Sequence, residues 1–221
     1  MNTRTSENII YLHGFASGPG SKKAAYFKEK LEQRGHNVTV PDLNYPDFYH
    51  LTLTSQLELA GKLAQELEDH EVIMIGSSMG GLIAALASLR AGNVSALILM
   101  APGFGIGKRW KALLCEEDMQ KWQDEGERDF FHYGFGENRK LAYGFIEDLD
   151  NHSTESFQIR VPTLIFHGIA DEVVPISVSR DFKRNNPNLA VLNELNDGHE
   201  LFDSLDTIWH ESCVFLDSER R

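Results

Sequence analysis

Cysteine is nearly missing from this chain. Cys115 and Cys213 are the only two in 221 residues, far apart and outside any C-x-x-C or Cys/His ligand spacing, so neither a disulfide framework nor a zinc site is expected. Long hydrophobic runs are missing too: nothing approaches the roughly 20 apolar residues that cross a bilayer. Met1 to Glu7 is polar, with no apolar core of a secretory signal, and a cytoplasmic location is the expectation that follows. Positive charge is in short supply, with 21 Lys and Arg against 33 Asp and Glu and a net charge of −12. Nucleic acid and anionic membranes require concentrated positive charge. Lys22-Lys23 and Lys108-Arg109 are only short basic pairs, so neither partner is expected, and the acid balance does not favour an anionic substrate. Neither G-x-x-x-x-G-K-[ST] nor a helix-opening G-x-G-x-x-G occurs, which leaves no nucleotide signature and no other cofactor or metal signature. With 42% hydrophobic and 24% charged residues, the chain has an ordinary globular composition, and a single domain over 1–221 is the default.

The most informative stretch is Val72-Ile73-Met74-Ile75-Gly76-Ser77-Ser78-Met79-Gly80-Gly81. An apolar, β-branched run stops at Gly76, and Leu82 to Ala87 reads as helix, so the serines sit at a strand-to-helix turn. Gly76, Ser78 and Gly80 fit G-x-S-x-G, in which glycines two residues either side leave room for a strained nucleophile. Ser77 is the rival nucleophile, but it has glycine on one side only at that distance. A glycine-rich connection with a serine helix cap would give the same five letters, so the rest of the chain must decide.

Six apolar strands alternate with helical patterns: Asn8–Leu12, Asn37–Val40, Val72–Ile75, Ser95–Met100, Pro162–Phe166 and Leu189–Leu195, with helices over Lys22–Arg34, to about His70, after Ser78, and from Leu205 onward. This order predicts a mostly parallel sheet flanked by helices. The alternation breaks between Phe104 and Phe157, where helical and aromatic patterns occur without a convincing strand; a helical lid insertion over 104–157 is expected. Gly103, Gly105, Gly107, Gly134 and Gly136 permit a hinge there. Trp110, Phe130, Phe131 and Tyr133 are candidates for an apolar acyl pocket, against the plainer reading that such aromatics form the insertion's own core.

A base and its orienting acid should lie at the carboxyl ends of other strands. Asp171 follows the fifth strand and His199 the sixth. An ordinary turn aspartate is the competing reading of Asp171; Glu172 and Asp148 are weaker substitutes, and Asp197 is too close in sequence to serve His199. His36, His50, His70, His152 and His210 read as solvated, and His13 and His167 as loop-holding residues. The order Ser78, Asp171, His199 is the one in which a serine triad is carried on a parallel α/β sheet.

On His13-Gly14-Phe15, Gly76 to Gly81, His167 to Pro175 and Asp197-Gly198-His199, the chain resembles the α/β-hydrolase superfamily, and its Leu12 to Lys22 loop is similar to that of the small bacterial YqiA-type esterases. The resemblance implies a minimal six-stranded α/β-hydrolase fold without the first two strands of larger members. It also implies acyl transfer to Ser78, with His199 as base, Asp171 as its orienter, and the Phe15 and Met79 N–H groups as oxyanion hole. A small-molecule acyl ester is the expected substrate. A thioesterase, a small peptidase, or a ligand-binding protein that keeps the fold without turnover are the alternatives, and the oligomeric state is left open.

Overall fold

In the computed structural model, which describes residues 6–152 and 154–218, the expected strands form one sheet in which every neighbour pair is parallel. Most of the polar Met1 to Glu7 stretch lies outside the described residues. Strand β1 (Asn8–Leu12) runs through a Gly/Pro/Ser loop into α1 (Lys22–Gln33), whose first turn is capped by the Ser21 hydroxyl accepting from the Ala24 N–H. The short β2 (Asn37–Thr39) precedes α2 (Leu53–Gln65), which opens with a reciprocal capping box between Thr52 and Ser55. Strand β3 (Val72–Ser77) meets α3 (Met79–Ser88) at Ser78, and β4 (Val94–Met100) leads into the insertion. The insertion comprises α4 (Ile106–Leu113), α5 (Glu116–Glu125), β5 (Glu127–His132), β6 (Glu137–Ala142) and α6 (Gly144–Leu149). Strand β7 (Thr163–Gly168), α7 (Ser177–Asn185), β8 (Ala190–Leu195) and α8 (Leu205–Ser218) complete the fold.

The sheet order is β2-β1-β3-β4-β7-β8. Because successive side chains point to opposite faces, each apolar strand feeds two cores. Ile10, Leu12, Met74, Leu97, Leu99 and Ile165 pack with α2, α3, α7 and the insertion; Ile9, Tyr11, Ile73, Ile75, Ile98 and Phe166 pack with α1 and α8. Burial on both faces is why these strands read as continuous apolar runs rather than alternating ones. The chain leaves β1 towards one edge of the sheet and returns as β3 on the other side of β1. This switch of direction opens a crevice beyond the carboxyl ends of β1 and β3, where ligands of open parallel sheets collect.

The sequence predicts a helical insertion, but the insertion contains an antiparallel hairpin of β5 and β6 as well as helices. Its period of two is visible in hindsight, since Phe130 and His132 turn inward while Phe131 is exposed. Gly126 and Gly136, at φ +74° and +71°, bracket β5 with the left-handed turns that release it from α5 and reverse it into β6. Helical and strand readings compete in so short an aromatic run. Gly103 and Gly134 are explained by packing rather than by hinging: a Cβ would lie 3.3 Å from the Ser78 carbonyl oxygen in the first case and 3.1 Å from the His132 ring in the second. Helix α7, which the sequence reading left unassigned, buries Phe182 against Phe104. His36 and His152 are buried or nearly so rather than solvated; His36 Nδ1 accepts from the Glu7 N–H, and His152 bonds the Thr54 hydroxyl.

Gly61 offers a check on the fold that leaves the crevice alone. It sits inside α2, and a Cβ there would meet no atom within 4 Å. Gly61→Ala is expected to stabilise the protein by about 1 kcal/mol through helix propensity, read as a higher urea midpoint at unchanged slope.

Candidate active site

Ser78 stands between β3 and α3 with φ 53° and ψ −117°, a conformation that side-chain-bearing residues seldom adopt. Its neighbours explain how it is held. A Cβ on Gly76 would lie 2.3 Å from the Gly80 carbonyl oxygen, and one on Gly80 would lie 2.0 Å from the Leu12 carbonyl oxygen. Only glycine fits at either position. The Ser78 N–H donates to Met100 O at 2.8 Å, and the Ser78 carbonyl accepts from the Gly103 N–H at 2.8 Å, so both β4 and the chain leaving it pin the turn. Ser77 is buried and ends β3.

The Ser78 Oγ–H donates to His199 Nε2 at 3.0 Å, and His199 Nδ1–H donates to Asp171 Oδ2 at 2.8 Å. The three residues that stand apart in the sequence thus meet at the carboxyl edge of β3, β7 and β8. Asp171 is sealed from solvent, with its side chain 0% exposed. It is surrounded by donors: the Val173 and Val174 N–H groups reach Oδ1 at 2.9 and 2.8 Å, and His167 Nε2 lies 3.2 Å from Oδ2. Burial by itself would raise the Asp171 pKa, but the bonds from His167, His199 and the Val174 N–H outweigh it and hold the carboxyl well below the usual carboxylate range. His167 is fixed in turn, accepting the Ser179 hydroxyl at Nδ1 (2.7 Å) and donating from Nε2 to Val174 O (2.8 Å). It holds the acid loop, as expected.

The alternative acids are engaged elsewhere. Asp197 accepts from the Gly198 and Ser204 N–H groups. Asp148 accepts from Thr54 on α2, and Glu172 is exposed. His13, buried after β1, accepts the Leu43 N–H at Nε2 and donates from Nδ1 to Gly14 O, so it braces the loop that presents Phe15. Among the described residues neither the Phe15 N–H nor the Met79 N–H donates a hydrogen bond within the protein, which leaves both available to a ligand oxygen.

A cavity of about 850 Å³ opens over Ser78 and His199. Phe15, Met79, Ile106, Trp110 and Leu113 give it an apolar wall, while Tyr133, Phe135 and His132 reach it from the hairpin. The four aromatic candidates therefore divide. Trp110 and Tyr133 line the cavity; Phe130 packs behind it against Trp110, Phe15 and Trp122, and Phe131 is exposed on the far face of β5. Sequence reasoning missed His132, whose ring is buried with Nε2 bonded to Asn44 Oδ1 at 3.2 Å, and it missed Arg109, which shares the cavity wall with Trp110. The hairpin is docked on the loop after β1, where the Tyr133 N–H donates to Ala16 O at 2.7 Å. No group of three or more His, Cys, Asp or Glu with metal-binding geometry, and no helix long and apolar enough to cross a membrane, occurs among the described residues.

Comparison with known proteins places this arrangement. The model of the uncharacterised protein family UPF0227, a YqiA-like family, matches residues 8–210. The chain belongs to UPF0227. A curated relative, the AB hydrolase superfamily protein YisY of Bacillus subtilis, is 24% identical over 233 residues, covering 88% of this chain and 85% of YisY. Est1E from Butyrivibrio proteoclasticus superposes with a TM-score of 0.80 at 23% identity over 99% of this chain and 90% of its own. A monoacylglycerol lipase from Paleococcus ferrophilus superposes with a TM-score of 0.77 at 15% identity, over 97% and 96%. This UPF0227 member thus has the α/β-hydrolase fold expected from its sequence.

The donor set around Asp171 gives a prediction with a definite sign. Asp171→Asn replaces an acceptor facing four donors by an amide and so disturbs the hydrogen bonds that hold His167, His199 and the Val173–Val174 turn. The depressed native carboxyl contributes stability that is complete above the ordinary carboxylate pKa of about 4 and is lost as pH falls through the lower native value. The gap in unfolding free energy between native protein and Asp171→Asn should therefore be widest near neutrality and narrow steadily below about pH 4, as measured by urea titrations across pH.

Proposed function

We propose that this UPF0227 chain is a serine hydrolase that cleaves carboxylic esters of short to medium acyl chains through an acyl-enzyme. The observation that carries the reading is the continuous relay from Ser78 Oγ through His199 to the sealed Asp171 carboxylate at the floor of an 850 Å³ cavity, a volume within the range of small-ligand sites. The ester carbonyl carbon is attacked by Ser78 Oγ as His199 Nε2 takes the hydroxyl proton. The carbonyl oxygen becomes an oxyanion between the Phe15 and Met79 N–H groups, which need no reorganisation to receive it. Collapse expels the alcohol, which takes the proton from His199, and leaves the acyl group on Ser78. Water, deprotonated by the same nitrogen, attacks the acyl-enzyme and releases the carboxylic acid. Asp171 stays ionised throughout; it fixes the Nδ1–H tautomer and stabilises the imidazolium.

The apolar wall of Ile106, Trp110 and Leu113 supports an acyl group there, with Tyr133 closing the far side. Phe130 serves behind that wall by holding Trp110, with its ring stacked at 5.5 Å. Ferulic acid has been seen bound to Est1E, and the Paleococcus neighbour is a monoacylglycerol lipase; both fit an acyl-binding role for this crevice. Thioester cleavage would use the same steps with a thiol as leaving group.

The test is hydrolysis of p-nitrophenyl esters from acetate to dodecanoate, beside labelling with a serine-directed phosphonate. Native protein should show a maximum at one acyl length, Ser78→Ala should lose on the order of 10⁶ in kcat, and His199→Ala should fall comparably. Labelling without turnover of any oxyester would move the reading to thioesters or peptides. Absence of both labelling and turnover would overturn it in favour of a non-catalytic binding protein.

A further inference from the structure

The cavity wall carries a cation that makes no ion pair among the described residues, the buried Asp171 carboxylate acting on it only from beyond ion-pair distance. Arg109 of α4 lines the cavity and is only partly exposed. Its Nη1 donates to the Phe104 carbonyl, and its Nε is buried with no hydrogen-bond partner. Among the described residues no carboxylate lies within ion-pair distance of it, in a chain with 33 acidic residues. Glu155, whose side chain reaches the same turn beside Gly105, is taken by Lys108. A guanidinium withdrawn from water without a counter-ion is costly, and such groups are normally paired.

Its position ties it to the reaction centre. Gly103 donates to the Ser78 carbonyl, Phe104 follows it in the chain, and Arg109 is anchored on the Phe104 carbonyl, so the guanidinium is held from the elbow side of the cavity. The other cations on the cavity are differently disposed: Lys23 is paired with Glu200 at 3.1 Å, and Lys22 is exposed over the Phe202 ring. Arg109 alone of the three lies beside the apolar Ile106–Trp110 wall. A planar guanidinium with free N–H edges matches a carboxylate better than a point charge would.

We propose that Arg109 receives an anionic group of the substrate, so that the preferred esters carry a carboxylate on the acyl chain. The proposal rests on the ester-hydrolase reading and narrows it to hemiesters of dicarboxylic acids, with the ester carbonyl at Ser78 and the free carboxylate at Arg109.

The experiment compares monoethyl esters of dicarboxylic acids from four to eight carbons with ethyl esters of monocarboxylic acids of equal length, following acid release in a pH-stat. In native protein the charged-over-neutral ratio of kcat/KM should reach about tenfold or more at the best length, the scale of one charged hydrogen-bonded contact. In Arg109→Gln the ratio should fall to about one or below, with Arg109→Lys between. A native ratio at or below one, or a ratio that Arg109→Gln leaves unchanged, overturns the proposal. A second measurement on native protein needs neither turnover nor a folded variant: protection of Ser78 from phosphonate labelling by the monoethyl ester against the uncharged diethyl ester of the same diacid. Stronger protection by the charged compound supports the Arg109 site even if no ester is hydrolysed, in which case the ester reading alone fails. Equal or weaker protection overturns the Arg109 site while leaving the ester reading intact.

Discussion

The first turn of α3 is pressed against the end of β1 so closely that a methyl group on Gly80 would stand 2.0 Å from the Leu12 carbonyl oxygen. Much else depends on that contact. It forces the link between β3 and α3 into a turn too sharp for ordinary backbone, and Ser78 adopts φ 53° as a result. A conformation of this kind costs on the order of 1–3 kcal/mol and persists only where its surroundings over-determine it. Here they do: Met100 O, the Gly103 N–H and the Gly76–Gly80 contact hold the turn from three sides. The same approach brings the Gly14 backbone beside Ser78, where a Gly14 Cβ would lie 3.4 Å from the serine Cβ. Phe15 and Met79, which follow two different strand ends, then line the same cavity.

Asp171 shows how one carboxylate can serve two histidines without ambiguity. His167 is committed on both nitrogens, to Ser179 and Val174, and its approach to Asp171 adds a fixed donor. His199 reaches the same oxygen but spends its other nitrogen on Ser78. The four donors keep the carboxyl ionised despite burial, and an ionised acceptor is what the Nδ1–H tautomer of His199 requires. Two chemically similar side chains thus acquire separate tasks from the bonds made by their second nitrogens.

The sheet was legible because buried parallel strands announce themselves as apolar runs, and the meeting of Ser78, His199 and Asp171 because each follows such a run at its carboxyl end. The glycines at 76 and 80 carried the elbow, since no other residue fits their close contacts. What escaped was set by distant packing. The β5–β6 hairpin lies in a stretch where six residues could be read with either period, and only docking of Tyr133 on Ala16 and of Trp122 on Leu141 settles it. His36 and His152 sit among polar neighbours in sequence but are covered by elements remote in the chain. The division of the aromatics, Trp110 and Tyr133 on the cavity and Phe130 behind it, depends on which face of α4 and β5 the fold turns inward.

Net charge illustrates the same limit from the electrostatic side. A balance of −12 is mostly solvated surface, where ions screen each charge beyond about 8 Å at physiological salt. A ligand inside the crevice is governed instead by the groups within a few ångströms, and these are less screened because water is partly excluded. On the cavity wall Asp42 and Glu200 are opposed by Lys22, Lys23 and Arg109, and the Lys23–Glu200 pair largely cancels itself. The acid excess over the whole chain therefore sets how the protein repels anions at long range, whereas the groups lining the cavity, Arg109 among them, set the field a ligand meets beside Ser78. A net charge summed over the chain and the local charge of its crevice can therefore differ in sign, and only the second acts at close range on a small ligand.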